Sequence, residues 1–135
     1  DDTKRQDKIA TGKGQVVLVD DETSLVRLGS FMVRKLGYGV SAFSDPQEAL
    51  DHMTQNKDSF DILITDQLMP GLSGDDLIAK ARNLRPGLPV VIVSGYSQHT
   101  ADRPADDLDY CFLPKPYSVE GLARAIAQAL ISQSD

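Results

Sequence analysis

The chain has 135 residues, the length of one domain built around one hydrophobic core and too short for a complete kinase or polymerase. Hydrophobic residues make up 41% and charged residues 25%, as in an average soluble globular protein, which disfavours disordered and fibrous classes. Acidic residues outnumber basic ones by 20 to 14, and the resulting net charge of -6 argues against nucleic acid and anionic membrane surfaces as direct partners.

Cysteine and histidine content indicates the compartment. Cys111 is the only cysteine, so it forms no intrachain disulfide, and it lacks zinc-ligand spacing with His52 and His99. We therefore predict a cytoplasmic protein, or the cytoplasmic portion of a larger one. Residues 1–14 lack an apolar core and are predicted to be a linker or disordered tail, with the folded domain over residues 15–135.

From residue 16 onward, short apolar runs alternate with segments whose apolar residues recur at helical spacing. This alternation is typical of a parallel sheet with crossover helices. The predicted fold is α/β, a doubly wound, flavodoxin-like (βα)5 unit with one five-stranded parallel sheet. The five predicted strands are residues 16–19, 40–43, 60–65, 89–93 and 110–113.

The intervening segments carry helix signals. Four apolar residues predict the buried face of the first helix: Leu25, Leu28, Met32 and Leu36. That helix is predicted to end at Gly37. Asp45 is predicted to cap the second helix ahead of Pro46, and Ser118 to cap the last one. Between residues 97 and 109, a proline and several aspartates interrupt the apolar pattern, so only a short or frayed helix is predicted there.

Polar residues stand where four of the five strands end. Asp20 and Asp21 follow the first strand, Asp66 the third and Ser94 the fourth, and Lys115 comes shortly after the fifth. In open parallel sheets, ligands bind beyond the carboxyl ends of the strands, so these side chains are expected to converge on one crevice.

The residue types in this crevice indicate phosphoryl transfer. Three carboxylates repel one another unless a hard divalent cation neutralises them, which predicts Mg2+ (or Mn2+) on Asp20, Asp21 and Asp66. Lys115 and Ser94 offer an ammonium and a hydroxyl to a phosphoryl group. Asp66 stands alone before a loop, and it is the candidate nucleophile that would form an aspartyl phosphate.

Each of these residues also has an ordinary structural explanation. Acidic residues such as Asp20 and Asp21 favour helix amino termini, and Asp66 could simply form a turn before Pro70. A lone lysine such as Lys115 is usually solvated. Their joint occurrence at successive strand ends is what favours a functional site.

The residues at the strand ends, taken together, resemble the receiver domain of two-component response regulators over about residues 15–131. The motifs that carry the resemblance are Val19-Asp20-Asp21-Glu22, Asp66-Gln67-Leu68-Met69-Pro70 with Gly74, Ser94-Gly95 and Lys115-Pro116-Tyr117. Residues 84–90 and 94–97 are most similar to the C-terminal receivers of hybrid sensor histidine kinases.

The resemblance implies a function for each site residue. Asp66 would accept a phosphoryl group from the phosphohistidine of a histidine kinase or a histidine phosphotransfer domain. Magnesium would be held by Asp21, Asp66 and the backbone carbonyl of Leu68, with Asp20 acting mostly through water. Lys115 would bind the phosphoryl oxygens. The domain would catalyse its own phosphorylation and slow dephosphorylation and would not turn over an independent substrate.

The resemblance also implies a conformational switch. Ser94 would move to the phosphoryl group, Phe112 would rotate inward, and the surface formed by the fourth helix, fifth strand and fifth helix would change. A phosphorylation-dependent homodimer through that surface is compatible with this scheme. Pro116 is expected to follow a cis peptide bond. Leu68 and Tyr96 occupy positions that tune phosphate lifetime, and an apolar Leu68 cannot orient a hydrolytic water.

Three other classes of protein fit the sequence less well. A haloacid dehalogenase-like phosphatase needs a second acid two residues after the nucleophile, where Leu68 stands instead. A flavodoxin-like nucleotide binder needs a phosphate loop, which residues 20–22 would repel. A receiver-like module that works without phosphorylation would not need all five site residues. A receiver excised from a hybrid kinase and a stand-alone single-domain response regulator both remain open, and the first is favoured.

Overall fold

Five strands and four helices alternate along the chain in a computed structural model that describes residues 14–67, 69–94, 111–115 and 117–133. The strands are β1 (Gln15–Val19), β2 (Gly39–Phe43), β3 (Ile62–Asp66), β4 (Val90–Ser94) and β5 (Cys111–Pro114). The helices are α1 (Thr23–Lys35), α2 (Pro46–Gln55), α3 (Gly74–Leu84) and α4 (Val119–Gln133), the last of which is called the C-terminal helix below.

All five strands are parallel and form one sheet in the order β2-β1-β3-β4-β5. The central strands β3 and β4 are buried along their whole length, which explains why their sequences are almost continuously apolar. The predicted α/β class and five-stranded parallel sheet are confirmed. The third strand begins at Ile62, two residues later than predicted. Phe60 is buried in the core although it precedes the strand, so its apolar side chain lengthened the predicted run.

The sheet separates two hydrophobic cores, as expected of a doubly wound fold. Alternate residues of each central strand point to opposite faces. The core on the side of α1 and the C-terminal helix includes Val16, Leu18, Ile64, Val33 and Ile126. The core on the side of α2 and α3 includes Val17, Leu63, Ile92, Met53 and Leu77.

The predicted buried face of α1 is wrong at one position. Leu28 is 49% exposed, whereas Val26, Gly29 and Val33 face the sheet. The helix sits so close to β1 that a Cβ atom on Gly29 would lie 2.9 Å from the Cδ2 atom of Leu18. A glycine contributes nothing to an apolar pattern, so the spacing of the leucines predicted a face rotated from the one that packs.

The predicted helix ends are confirmed at three positions. The Asp45 side chain accepts a hydrogen bond from the Gln47 amide at 3.1 Å, and Pro46 opens α2. The Ser118 hydroxyl accepts from the Gly121 amide at 3.0 Å at the start of the C-terminal helix. Beyond α1, Gly37 has a φ angle of 99°, which a glycine adopts without strain.

Two predicted segments fall outside the described residues. They are the linker over residues 1–14, apart from Gly14, and the short helix between residues 97 and 109. Within the described part of the chain, every helix is too short or too polar to cross a bilayer.

Candidate functional site

The predicted site residues lie together at one edge of the sheet. Asp20 follows β1, Asp66 and Ser94 are the last residues of β3 and β4, and Lys115 follows β5. Parallel register places all of these positions at the carboxyl ends of the strands. The fold therefore forms a single crevice from residues up to 95 positions apart in the chain.

Lys115 links two of the carboxylates. Its Nζ atom lies 3.3 Å from Oδ1 of Asp66 and 3.4 Å from Oδ2 of Asp20. Asp66 is 5% exposed and Asp20 is 6% exposed, so both acids are largely removed from solvent. A shared cation compensates part of the cost of burying two negative charges side by side.

Backbone amides orient the two buried carboxylates. The Glu22 amide donates to Oδ1 of Asp20 at 2.9 Å, and the Gln67 amide donates to Oδ1 of Asp66 at 2.9 Å. The Lys115 amide donates to the Ser94 carbonyl at 2.8 Å, which fixes the start of the lysine side chain beside β4. The carboxylates are therefore held in place by the fold before any ligand binds.

The buried charges perturb one another. Burial, followed by the charge of Asp20, raises the pKa of Asp66 to about 6. Burial also raises the pKa of Asp20, although the Glu22 amide and Lys115 oppose it. Burial would lower the pKa of Lys115, but the charges of Asp20 and Asp66 outweigh this effect and raise it. Strongly perturbed carboxylates in a crevice are typical of functional sites.

A third carboxylate completes a possible cation site. Asp20, Asp21 and Asp66 each offer an oxygen atom, and the three oxygens lie within 4.8 Å of one another. Asp21 is exposed, so it stands at the mouth of the crevice while the other two line its floor. Three carboxylate oxygens are the hard donors that magnesium prefers, and the residues present fit that ion.

Ser94 carries an unused hydroxyl. Its side chain is fully buried, and within the described structure its Oγ atom has no hydrogen-bond partner. Buried polar atoms are nearly always paired, so an unpaired one at the ligand-binding edge of a sheet favours a ligand as the missing partner. The Oε1 atom of the neighbouring Gln67 is likewise buried without a partner there.

Two contributors were not predicted as site residues. The backbone amide of Gln67 binds the Asp66 carboxylate, and residue type carries no signal for such a contact. The Tyr117 hydroxyl lies beside α1, 3.1 Å from where a Cβ atom on Gly29 would stand, and burial, followed by the charge of Asp20, raises its pKa. Its position two residues after Lys115 was the available signal.

The remaining predicted residues divide into two groups. Phe112 is half-buried and packs against the core on the α2 and α3 side. Leu68, Tyr96 and Pro116 fall outside the described residues, and their assigned roles stay predictions.

Comparison with known proteins identifies the family. A family model described as the response regulator receiver domain matches residues 16–127. The chain therefore belongs to the response regulator receiver domains of two-component signalling, and the family prediction is confirmed. The acidic crevice lies within the matched region.

Relatives of two kinds resemble the chain. It is 33% identical to the sensor kinase CckA of Brucella abortus over 91% of the chain and 13% of that protein. It is 29% identical to the transcriptional regulatory protein FixJ of Bradyrhizobium diazoefficiens over 89% of the chain and 58% of that protein. The chain thus spans only part of the length of these relatives.

Solved structures agree with this assignment. The receiver domain of the hybrid histidine kinase CckA matches with a TM-score of 0.72 and 32% identity, covering 87% of this chain and 99% of that one. A response regulator receiver domain protein from Clostridium thermocellum matches with a TM-score of 0.77 and 26% identity, covering 90% of this chain and 98% of that one.

Proposed function

We propose that the chain is a phosphoacceptor receiver in which Asp66 takes a phosphoryl group from the phosphohistidine of a histidine kinase or a histidine phosphotransfer domain. The observation that carries the proposal is the geometry of Asp66. Its carboxylate is buried, lies 3.3 Å from the Lys115 ammonium and stands beside a second buried acid, Asp20. A structural aspartate gains little from such an environment, whereas a nucleophile gains a fixed orientation and a cation for the incoming charge.

The proposed reaction is a direct phosphoryl transfer. A carboxylate oxygen of Asp66 forms a bond to phosphorus while the bond from phosphorus to the donor histidine nitrogen breaks. The electron pair of the broken bond stays on the imidazole. The Lys115 ammonium lies within reach of oxygens on the transferred group and offsets their negative charge.

Magnesium is the proposed cofactor, with Mn2+ as a substitute. Asp20, Asp21 and Asp66 would hold it. The family resemblance adds the backbone carbonyl of Leu68 as a further ligand. The ion would neutralise negative charge shared between the carboxylates and the phosphoryl oxygens. Its binding is also favoured because two buried acids share the single positive charge of Lys115.

Ser94 and Phe112 are the proposed switch residues. The unpaired hydroxyl of Ser94 is available to a phosphoryl oxygen, and Phe112 occupies the adjacent strand at the position paired with Ile92. A phosphoryl group on Asp66 would draw Ser94 toward it and allow Phe112 to rotate inward. The surface containing β5 and the C-terminal helix would then change and could support a phosphorylation-dependent homodimer.

The origin of the chain is also a proposal. Its similarity to the CckA kinase and to the CckA receiver structure favours a receiver that belongs to a hybrid sensor histidine kinase. The similarity to FixJ keeps a response regulator outside a kinase as the alternative. In both cases the proposed location is the cytoplasm, or the cytoplasmic side of a membrane-bound kinase.

The function is tested by phosphate uptake from acetyl phosphate, followed by intact mass. The wild-type chain should gain one phosphate in the presence of magnesium, and chelation of magnesium should suppress the gain. The variant Asp66→Asn should gain none, because an amide is not a competent nucleophile here. A variant that gains as much phosphate as the wild type would refute the proposal.

A further inference from the structure

Gly74, the first residue of α3, packs directly on the backbone at the end of β3. A Cβ atom on Gly74 would lie 2.3 Å from the carbonyl oxygen of Asp66 and 3.0 Å from the Cα atom of Gln67. Side-chain carbons essentially never approach other atoms closer than 3.0 Å, and both neighbours here are main-chain atoms that cannot rotate away. Even a methyl group would therefore displace the backbone of Asp66 or the start of the helix.

Hydrogen bonds extend this contact to the Asp66 carboxylate. The Gly74 amide donates to the Gln67 carbonyl at 2.9 Å. The Gln67 amide in turn donates to Oδ1 of Asp66 at 2.9 Å and to the Val93 carbonyl at 3.0 Å. The Thr65 hydroxyl donates to the Asp66 carbonyl at 3.0 Å, so the same peptide group is held from two sides.

We propose that Gly74 is a positioning residue for phosphoryl transfer. Its close approach clamps the start of α3 onto the Asp66 peptide and sets the Gln67 amide under the Asp66 carboxylate. The proposal deepens the proposed function and rests on it, because the property being positioned is the nucleophile. Displacing a reacting group by about 1 Å is enough to cost on the order of 100-fold in rate.

A purely structural role for Gly74 makes a different prediction. In that case Gly74→Ala would lower stability, but the folded fraction would react normally. Ser73→Ala is the matched control, since the Ser73 hydroxyl caps the same helix through the Asp76 amide at 3.2 Å and its loss adds no atom against Asp66. Gly121→Ala is the second control, because a Cβ on that helical glycine would lie 3.4 Å from its nearest neighbour.

The first test measures the maximal rate constant for phosphorylation by acetyl phosphate at saturating magnesium, on folded protein of each variant. Gly74→Ala should be slowed roughly 10- to 100-fold, whereas Ser73→Ala and Gly121→Ala should stay within about twofold of the wild type. A Gly74→Ala rate constant equal to that of the wild type would overturn this proposal and leave the proposed function intact. A wild-type chain that takes up no phosphate would overturn both.

A second test uses the wild-type chain and therefore does not depend on how Gly74→Ala folds. If Gly74 positions the nucleophile, the Gly74 and Gln67 amides belong to the network that holds the Asp66 carboxylate. A cation that saturates the carboxylates should then restrain both amides. Their hydrogen exchange should slow when magnesium alone is added, while exchange of the Gly121 amide should not change. Unchanged exchange at Gly74 and Gln67 would overturn the proposal.

Discussion

The ammonium of Lys115 lies 3.3 Å from Oδ1 of Asp66, although Asp66 ends β3 and Lys115 follows β5, two strands that β4 separates. The ion pair is mostly buried, and the same ammonium also reaches Asp20 at 3.4 Å. One positive charge therefore faces two negative ones. The crevice keeps an excess of negative charge that a divalent cation can neutralise, and the lysine is already in place for an anionic ligand.

This geometry predicts opposite effects when Lys115 is neutralised. In Lys115→Met, phosphorylation by acetyl phosphate should slow on the order of 100-fold, because the cation for the phosphoryl oxygens is lost. Magnesium should bind more tightly, because the carboxylates lose a competing positive charge. Phosphate uptake and magnesium titration measure the two effects.

The exposed Lys80 of α3 supplies the matched control, since Lys80→Met makes the same charge change away from the crevice. It should leave both quantities close to their wild-type values. If magnesium affinity fell in Lys115→Met, or if both variants behaved alike, the role assigned to the ion pair would be wrong.

The raised pKa of Asp66 predicts a pH-dependent loss of stability in metal-free protein. The pKa of this acid is about 6 when folded, against an ordinary value of 3.8. Between these values the folded chain binds a proton that the unfolded chain has lost. The stabilisation from protonated Asp66 is therefore fully present below about pH 4 and is lost as the pH rises through about 6. The unfolding free energy falls by up to about 3 kcal/mol over this range.

Urea unfolding of the wild type and of Asp66→Asn in the presence of a chelator measures this contribution together with its coupling to Asp20, because carboxylates that do not interact with Asp66 titrate alike in both proteins. The unfolding free energy of the wild type minus that of the variant should fall between about pH 4 and about pH 6 and then level off. Added magnesium should reverse the decline. A difference that rises with pH over that interval would contradict the electrostatic account.

We expect the aspartyl phosphate on Asp66 to be long-lived because Leu68 stands two residues after it. The hydrocarbon side chain of Leu68 has no atom that can hydrogen-bond a water molecule for attack on an aspartyl phosphate. Leu68→Asn supplies such a group and should shorten the half-life roughly tenfold or more. The decay of intact phosphorylated mass after removal of acetyl phosphate measures it, and an equal or longer half-life would contradict the prediction.

Replacing Gly121 by alanine should raise the stability of the folded chain. Gly121 lies in the first turn of the C-terminal helix, and a Cβ there would meet Ser118 Oγ at 3.4 Å and Leu113 Cδ1 at 3.6 Å. Alanine should therefore fit and should raise the unfolding free energy by roughly 0.5–1 kcal/mol, because it loses less backbone entropy in a helix. Thermal or urea unfolding tests this, and a destabilised Gly121→Ala would show that a methyl group does not fit at this position.

Much of the fold could be predicted because strands buried on both faces leave a clear apolar signal. The ends of those strands in turn located Asp20, Asp66, Ser94 and Lys115, and the structure brings all four to one edge. Topology made this possible, since carboxyl ends of parallel strands must meet wherever the helices lie.

The features that were not predicted depend on close contacts of the backbone, which the type of side chain does not reveal. Gly29 acts through the lack of a Cβ, and so does Gly74, whose place in the motif was recognised but whose contact with Asp66 was not predicted. The Gln67 amide acts through the main chain. The close packing at Gly29 turned α1 so that Leu28 faces solvent. Distances of a few ångströms between backbones follow only from the folded structure.

The central claim is that Asp66 is the residue that carries the phosphoryl group, and peptide mapping of the phosphorylated chain tests it most directly. After incubation with acetyl phosphate and magnesium, the modification should be confined to Asp66, in the peptide that also contains Gln67, and should be absent when Asp66→Asn is treated in the same way. A phosphate mapped to any other residue, or retained in Asp66→Asn at the wild-type level, would contradict the account.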